Sequence, residues 1–276
     1  MRADIEGQPL EQVQFTVLDV ETTGLVPELG DRVCEIALLH FQGGRELKRF
    51  HSLVNPGRPV SPGAYAVNGI TEEELVDAPL FAQIAPSVRE ILQGSVLVAH
   101  NAPFDLGFLD AEFDLCRLPT PANPVVDTLA LARRCYRFPS NRLGSVARYL
   151  GVNTCGEHRA LFDVLTTKAL LEQMLIDLSE HGVSMIDHLV AAQGGPIGWP
   201  RRESIPLPPE IQEALTGDGR IWIRYLSAGG RETHREVTPL RVTVRGGYLY
   251  LVAVCHLRNE QRTFRLDRVL EMAPAV

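Results

Sequence analysis

The sequence predicts an α/β domain, a mixed sheet flanked by helices, followed by a small all-β unit. Three observations predict it. Short β-branched apolar runs alternate with stretches of helical spacing over residues 1–181. A stretch dense in glycine and proline, GGPIGWPRRESIPLPP, then breaks the pattern. Beyond it the period falls to two, with AGG and RGG as turn signals. The expected organisation is a first domain over 1–181, a linker over 182–208 and a β domain over 209–276.

VQFTVLD (13–19) reads as a buried strand, RVCEIALLHF (32–41) as a second after the turn ETTGLVPELGD, and KRFHSLVNP (48–56) as a third. ITEEEL (70–75) opens with a capping box, Thr71 followed by Glu74, which marks a helix start. PLFAQIAPSVREILQ (79–93) has helical spacing, and Pro86 is expected to interrupt or begin it. SVLVAH (95–100) is a strand, FDLGFLDAEFDLC (104–116) a helix and PVVDT (124–128) a short strand. Helices follow at 129–136, 145–151 and 160–181. In the β unit a helical segment at 209–217 precedes strands at 221–227, 235–244, 247–256 and 262–272.

A hydrophobic content of 45% with 22% charged residues is that of a globular protein. No apolar run approaches the roughly 18 residues that span a membrane, and MRADIEGQPLEQ lacks the apolar stretch of a secretory leader. Cys34, Cys116, Cys135, Cys155 and Cys255 are odd in number, scattered and never in a CxxC pair. They read as reduced thiols of a cytoplasmic protein. The net charge of −7 is uneven: residues 206–276 hold 10 arginines and no lysine against 8 acidic residues, about +2, leaving −9 elsewhere. Such acidity argues against tight non-specific duplex binding and leaves room for a small grip on a strand end.

Part of that acidity lies in three motifs. Asp19 and Glu21 stand in DVETTG, Asp105 in HNAPFD, and His158 with Asp163 in HRALFD. Asp19 and Glu21, two apart on a strand, share a face, and ligands gather at the carboxyl ends of α/β strands. Asp105 and Asp163 fall in the first turns of helices. Each residue alone has an ordinary explanation as a cap, a strand end or a surface histidine. Four carboxylates converging on one cleft would repel unless cations sat between them. Oxygen ligands suit two divalent cations, Mg or Mn, which can clamp the attacking and leaving oxygens of a phosphodiester. The histidine adds a base.

Together the motifs resemble the DnaQ-like exonuclease superfamily in its histidine-containing DEDDh branch, over residues 13–178, with NPGRPVSP, VNGIT and VDTLALAR as lesser signals. The resemblance implies an RNase H-like fold and a 3′→5′ exonuclease. It also implies a two-metal site of Asp19, Glu21, Asp105 and Asp163, with His158 deprotonating the attacking water. By the same carry-over Thr22, Gly24, Leu25, Asn101 and Phe104 grip the terminal nucleotide. Asn68 stands where proofreading members often carry histidine. It can hydrogen-bond a sugar or phosphate but cannot be cationic. The tail resembles a WYL domain, a small Sm-like β-barrel, on IWIRYLS, REVTPLRV, GYLYLVAVCHL and RTFRLDRV, although Leu249 stands in place of the namesake tryptophan. There Arg258, Arg262, Arg265 and Arg268 are candidate phosphate contacts, with a solvated, ion-paired strand face as the alternative.

The leading expectation is trimming of single-stranded DNA from its 3′ end, in repair or proofreading, with DNA favoured over RNA. Any polymerase or repair partner is left open, and no membrane is involved. An RNA-trimming nuclease and a non-catalytic nucleic-acid sensor are the alternatives; the presence of all five catalytic candidates argues against the sensor.

Overall fold

The computed structural model describes residues 7–275 except 155–157, 201–206, 218, 228 and 246–247. Its contacts divide the chain into two compact units, Met1–Thr23 with Val33–Arg201, and Gly24–Arg32 with Arg202–Val276. Among the described residues no helix is long and apolar enough to cross a membrane.

The first unit is built on β1 (Gln14–Thr22), β2 (Val33–Gln42), β3 (Arg45–Leu53), β4 (Val96–Ala99) and β5 (Val125–Asp127), in the order β3-β2-β1-β4-β5. The first three strands form an antiparallel meander, and β4 and β5 add in parallel. Gly43 and Gly44, both at positive φ, make the tight turn between β2 and β3. Side chains alternate across the sheet, sending Val17, Leu39, Phe41 and Val98 into one core and Leu18, Ile36, Leu38 and Leu97 into the other. Two short helices, α1 (Pro62–Asn68) and α2 (Glu72–Leu75), follow β3. Then α3 (Phe81–Leu92) and α4 (Ala102–Leu115) cover the second face. The first face is covered by α5 (Thr128–Cys135), α6 (Leu143–Tyr149), α7 (Ala160–Ser179) and α8 (Ile186–Ala192).

Three differences from expectation have physical reasons. Pro86 lies inside α3 without ending it. An interior proline costs about 3 kcal/mol, but Phe81, Ile84, Ala85, Val88, Ile91 and Leu92 are buried along this helix, and each large apolar side chain contributes roughly 1.5–3 kcal/mol. The helix α1 was not expected; its signal is Ser61 before Pro62, an N-cap followed by a first-turn proline, and the Ser61 hydroxyl accepts from Ala64 N–H. The linker does not begin at 182. Ile186 and Leu189 of α8 are buried in the first core, Gln193 donates to Val125 O and accepts from Asp127 N–H, and Trp199 packs against Phe113. The first unit therefore keeps the chain through these residues, and 201–206 of the expected linker lie outside the described residues.

The second unit holds α9 (Pro209–Gly217) and the antiparallel strands β6 (Ile221–Leu226), β7 (Glu232–Arg245), β8 (Tyr248–Cys255), β9 (Glu260–Arg265) and β10 (Val269–Pro274), ordered β10-β6-β7-β8-β9. Ile211 and Ala214 of α9 pack on Ile223, Leu251 and Phe264. The expected strand over 262–272 is split by a 3-10 turn at Leu266–Arg268. That turn spans about 6 Å, whereas β9 and β10 would stand roughly 19 Å apart in a flat five-stranded sheet. The sheet must curl to bring the chain back to β6. Among the described residues no ladder joins β9 to β10, so the expected Sm-like barrel is a curled, open sheet. Residues 24–32 belong with it: Gln261 Nε2 donates to Gly30 O at 3.4 Å, and Arg241 donates to the Pro27 carbonyl.

Leu171 is fully buried where α7 meets the sheet. Leu171→Ala should cost about 2–5 kcal/mol, read as a lower urea midpoint with an unchanged slope.

Candidate metal centre and active site

The strand β1 ends in Asp19-Val20-Glu21-Thr22. The period of two puts Asp19 and Glu21 on the face of Val17, the one α7 covers. On α7, Asp163 lies one turn in from Ala160. Carboxylate oxygens of Asp19, Glu21 and Asp163 all lie within 4.8 Å of one another. That is close to the roughly 4.2 Å spanned by opposite oxygens of an octahedral magnesium ion. Asp105, in the first turn of α4, is 4% exposed and accepts from Val20 N–H at 3.1 Å. It stands outside the three-carboxylate group but close enough to oppose ionisation of Asp19.

The electrostatics follow from burial and crowding. Burial first, then Asp105, Asp163, Glu21 and Glu35, hold the Asp19 carboxyl well above the usual range. Burial, Asp163 and Glu35 push Glu21 up to about 7, with Asn68 and Arg159 opposing the rise. Asp105 is also raised well above the usual range by burial, against the amide bonds it accepts. All three act to collect either protons or cations. The oxygen-only donor set fits a hard divalent ion.

A second carboxylate system supports the first. Glu35 on β2 pairs across the ladder with Glu21 and is fully buried. Arg159 donates to it from Nε at 3.1 Å and from Nη2 at 2.9 Å. Ala160 N–H, at the start of α7, donates at 3.0 Å, and His51 Nε2 lies 2.8 Å away. Burial pushes the Glu35 carboxyl up, but these donors outweigh it and its pKa is lowered. Sequence reasoning missed this pair, although a glutamate inside the apolar run VCEIALL was its signal, since a buried charge needs a partner. His158, at φ 62°, donates its backbone N–H to Asp163 Oδ2 at 3.0 Å and keeps its side chain exposed. The residues flanking Arg159 are thus fixed from both sides.

The other candidates are distributed unevenly. Asn101, at φ 83°, is exposed at the N-terminus of α4, and its N–H donates to Asp127 Oδ1. Phe104 is half-buried and packs on Phe108. Thr22 and Asn68 are buried; the Asn68 amide donates to Thr22 O and its oxygen accepts from Ile70 N–H. Gly24 and Leu25 group with the second unit. A Cβ on Gly24 would meet the Asp31 carboxylate, so the close approach this glycine allows in the structure is to Asp31. Leu25 is 79% exposed. In the curled sheet, Arg262 pairs with Glu260 and Arg265 with Asp267, and Arg265 also lies over the Tyr248 ring. Arg258 and Arg268 form no ion pair among the described residues.

The model of the exonuclease family matches residues 16–171, more than half of the chain. The chain belongs to the exonuclease family. Its first unit is a DnaQ-like 3′–5′ exonuclease domain, and the WYL domain model matches residues 207–274 of the second. The exonuclease is 37% identical over 182 residues to the PolC-type DNA polymerase III of Bacillus subtilis (strain 168), covering 65% of this chain and 13% of that protein. It is 36% identical over 183 residues to the DNA polymerase III subunit epsilon of Treponema pallidum (strain Nichols), covering 64% and 84%. The chain thus spans 13% of the length of the first relatives it matches. Among solved structures, exonuclease X in complex with 5′ overhanging duplex DNA aligns with TM-score 0.52 and 28% identity over 65% of this chain and 99% of that one. Exonuclease I aligns with TM-score 0.56 over 88% of this chain and 55% of that one; at 20% identity this is a likeness of fold.

The raised Glu21 has a consequence for stability. Its ordinary pKa of 4.5 rises to about 7 in the folded exonuclease, so the folded state binds the proton more tightly. The stability that Glu21 contributes without metal is therefore fully present below pH ~4.5 and is lost as pH rises through about 7. Glu21→Gln should stabilise the chelator-treated protein by about 1–3 kcal/mol at pH 8 and by little at pH 4.5, measured by urea unfolding at both pH values.

Proposed function

We propose that the chain removes nucleotides from the 3′ end of single-stranded DNA by two-metal hydrolysis, in DNA repair or proofreading. The observation that carries this reading is the Asp19–Glu21–Asp163 cluster at the end of β1, in a domain of the exonuclease family. Asp19, Glu21 and Asp163 would hold one divalent cation, Mg or Mn, and Asp105 beside Asp19 would help hold a second. When bound, such ions polarise the scissile phosphodiester and make water a stronger acid.

The chain's own residues do the rest. His158, exposed beside Asp163, takes a proton from the attacking water. The water oxygen bonds to phosphorus, the bond from phosphorus to the 3′ oxygen of the preceding nucleotide breaks, and that oxygen takes a proton from solvent. A nucleoside 5′-monophosphate leaves. The exposed Asn101 and the half-buried Phe104 are the terminal-nucleotide contacts of the first unit that their surfaces best allow, and Leu25, 79% exposed in the second unit, offers an apolar contact by itself. Asn68, whose amide is engaged inside the protein, acts on Glu21 and the end of β1 instead. In the WYL domain, Arg258 and Arg268 are the better phosphate contacts, since local carboxylates hold Arg262 and Arg265.

DNA as substrate is supported by the solved complex of exonuclease X with duplex DNA and by the epsilon-subunit relative; the latter also motivates a polymerase partner. Cys34, Cys135 and Cys255 are free thiols, in keeping with a cytoplasmic protein.

Asp19→Ala and Asp163→Ala should each abolish hydrolysis of a labelled single strand in magnesium while preserving the fold by circular dichroism. Chelator should do the same to the unsubstituted protein, and a variant retaining most activity would end the two-metal assignment. His158→Ala should slow turnover about 10²–10⁴-fold with KM nearly unchanged. A rise in KM alone would make His158 a substrate ligand. Matched DNA and RNA strands compared by kcat/KM decide the sugar, with faster RNA cleavage reversing the DNA assignment.

A further inference from the structure

We infer that residues 133–149 form a second polynucleotide-binding surface, which holds the single strand upstream of its 3′ terminus. The inference rests on the exonuclease reading and extends it to the rest of the strand.

The first observation is charge. Between Asp127 and Glu157 the chain carries five arginines, Arg133, Arg134, Arg137, Arg142 and Arg148, and no acidic residue, in a protein of net charge −7. All five are exposed, and none has a carboxylate partner among the described residues. Elsewhere Arg49, Arg159, Arg220, Arg224, Arg262 and Arg265 each pair with an acid. A solvated face normally pairs its own charges; here the one carboxylate against the aromatic rings, Asp177, accepts from the Tyr136 hydroxyl at 3.4 Å and, among the described residues, pairs with none of the five arginines. Arg137 donates one nitrogen to Tyr136 O and Arg148 one to Gly144 O, both at 3.1 Å, which steadies each guanidinium and leaves further donors outward.

The second observation is a fixed aromatic platform among these cations. Tyr136 and Phe138 stack at 5.0 Å, and Phe138 meets Tyr149 edge-on at 5.3 Å. Tyr136 and Phe138 pack against the first core, while Tyr149 is 66% exposed. So large an aromatic surface, held from beneath and open above, suits a stacked base. Arg137 lies between the stacked rings in sequence, Arg148 precedes Tyr149, and Arg142 caps α6. Interleaved cations and rings match a chain of alternating phosphates and bases. A duplex hides its base faces, so this surface selects single strands.

The third observation ties the surface to the catalytic motif. His100 Nε2 donates to Asn141 O at 2.8 Å, and its Nδ1 lies 2.9 Å from Thr128 Oγ1. His100 immediately precedes Asn101 and the helix that carries Asp105. The arginine loop is therefore anchored beside the segment that delivers a catalytic carboxylate.

The test compares the full-length protein with Arg137→Ala/Arg142→Ala/Arg148→Ala and with Tyr149→Ala. Two substrates are used in magnesium, a single-stranded DNA of about 20 nucleotides and the p-nitrophenyl ester of thymidine 5′-monophosphate, which fills only the terminal site. The triple variant should raise KM on the strand about tenfold or more at low salt. It should flatten the slope of log affinity against log salt by about 2, as loss of three single-strand phosphate contacts requires, and leave kcat/KM on the ester within about twofold. Tyr149→Ala should raise KM on the strand about fivefold or more without changing the salt slope, and Tyr149→Phe should restore it. Unchanged KM and salt slope in the triple variant, or equal losses on strand and ester, would overturn the inference. If the unsubstituted protein hydrolyses neither substrate, the exonuclease reading fails by itself. Fluorescence anisotropy with the labelled strand then decides this surface: binding lost in the triple variant supports it, and binding equal to the unsubstituted protein overturns it.

Discussion

Three carboxylates held within 4.8 Å of one another, at the end of a strand whose neighbours are apolar, impose the constraint that the exonuclease unit is organised to meet. Asp19 and Glu21 are raised by burial and by their neighbours, and Glu35 adds a further negative charge directly across the ladder from Glu21. Such a group resists ionisation until protons or cations compensate it. Stability without metal is lower for this reason, and any cation that binds only the folded state returns stability by mass action. A pull on cations and a loss of stability as these carboxylates ionise would be two consequences of the same repulsion.

The countercharge that the chain itself supplies is Arg159, and its placement serves geometry as well as charge. Its fork on Glu35, with the bond from Ala160 N–H to the same carboxylate, fixes the first turn of α7 against β2. His158 and Asp163 lie on either side of this anchor and are joined by their own hydrogen bond. Glu35 is fully buried while Arg159 is 37% exposed, so losing Arg159 would leave a buried carboxylate held by Ala160 N–H and His51 alone. Here that loss would also release the helix start that presents Asp163. Rigidity at the site therefore rests on a buried glutamate and its half-buried arginine, one residue away from the proposed base.

Charge is partitioned to match. An acidic chain binds a polyanion only where its surface is locally positive. The stretch from Arg133 to Arg148 supplies such a region in the exonuclease unit, while Arg220, Arg224, Arg262 and Arg265 of the WYL unit pair with glutamate or aspartate.

The sequence by itself determined the elements whose signals are local. The capping box at Thr71 and Glu74, the strand at Asp19 and Glu21 with both on one face, and the twenty-residue helix carrying Asp163 all follow from periodicity and capping within a few residues. The family resemblance, carried by motifs spread over 145 residues, named Asp19, Glu21 and Asp163, which the fold brings together, and Asp105 beside them. Only the tertiary structure decided what depends on partners distant in the chain. Pro86 stays within α3 because core contacts offset its missing hydrogen bond, and residues 186–199 join the first unit because Gln193 and Trp199 find partners on β5 and α4. The β unit stays open because β10 pairs with β6 and not with β9. Asp105 lies beside the carboxylate group rather than in it because it accepts from Val20 N–H. Glu35 and Arg159 are 124 residues apart, and neither residue's local pattern specifies the other. Their pairing is decided by the free energy of burying a charge, which is determined only once the sheet and α7 have come together.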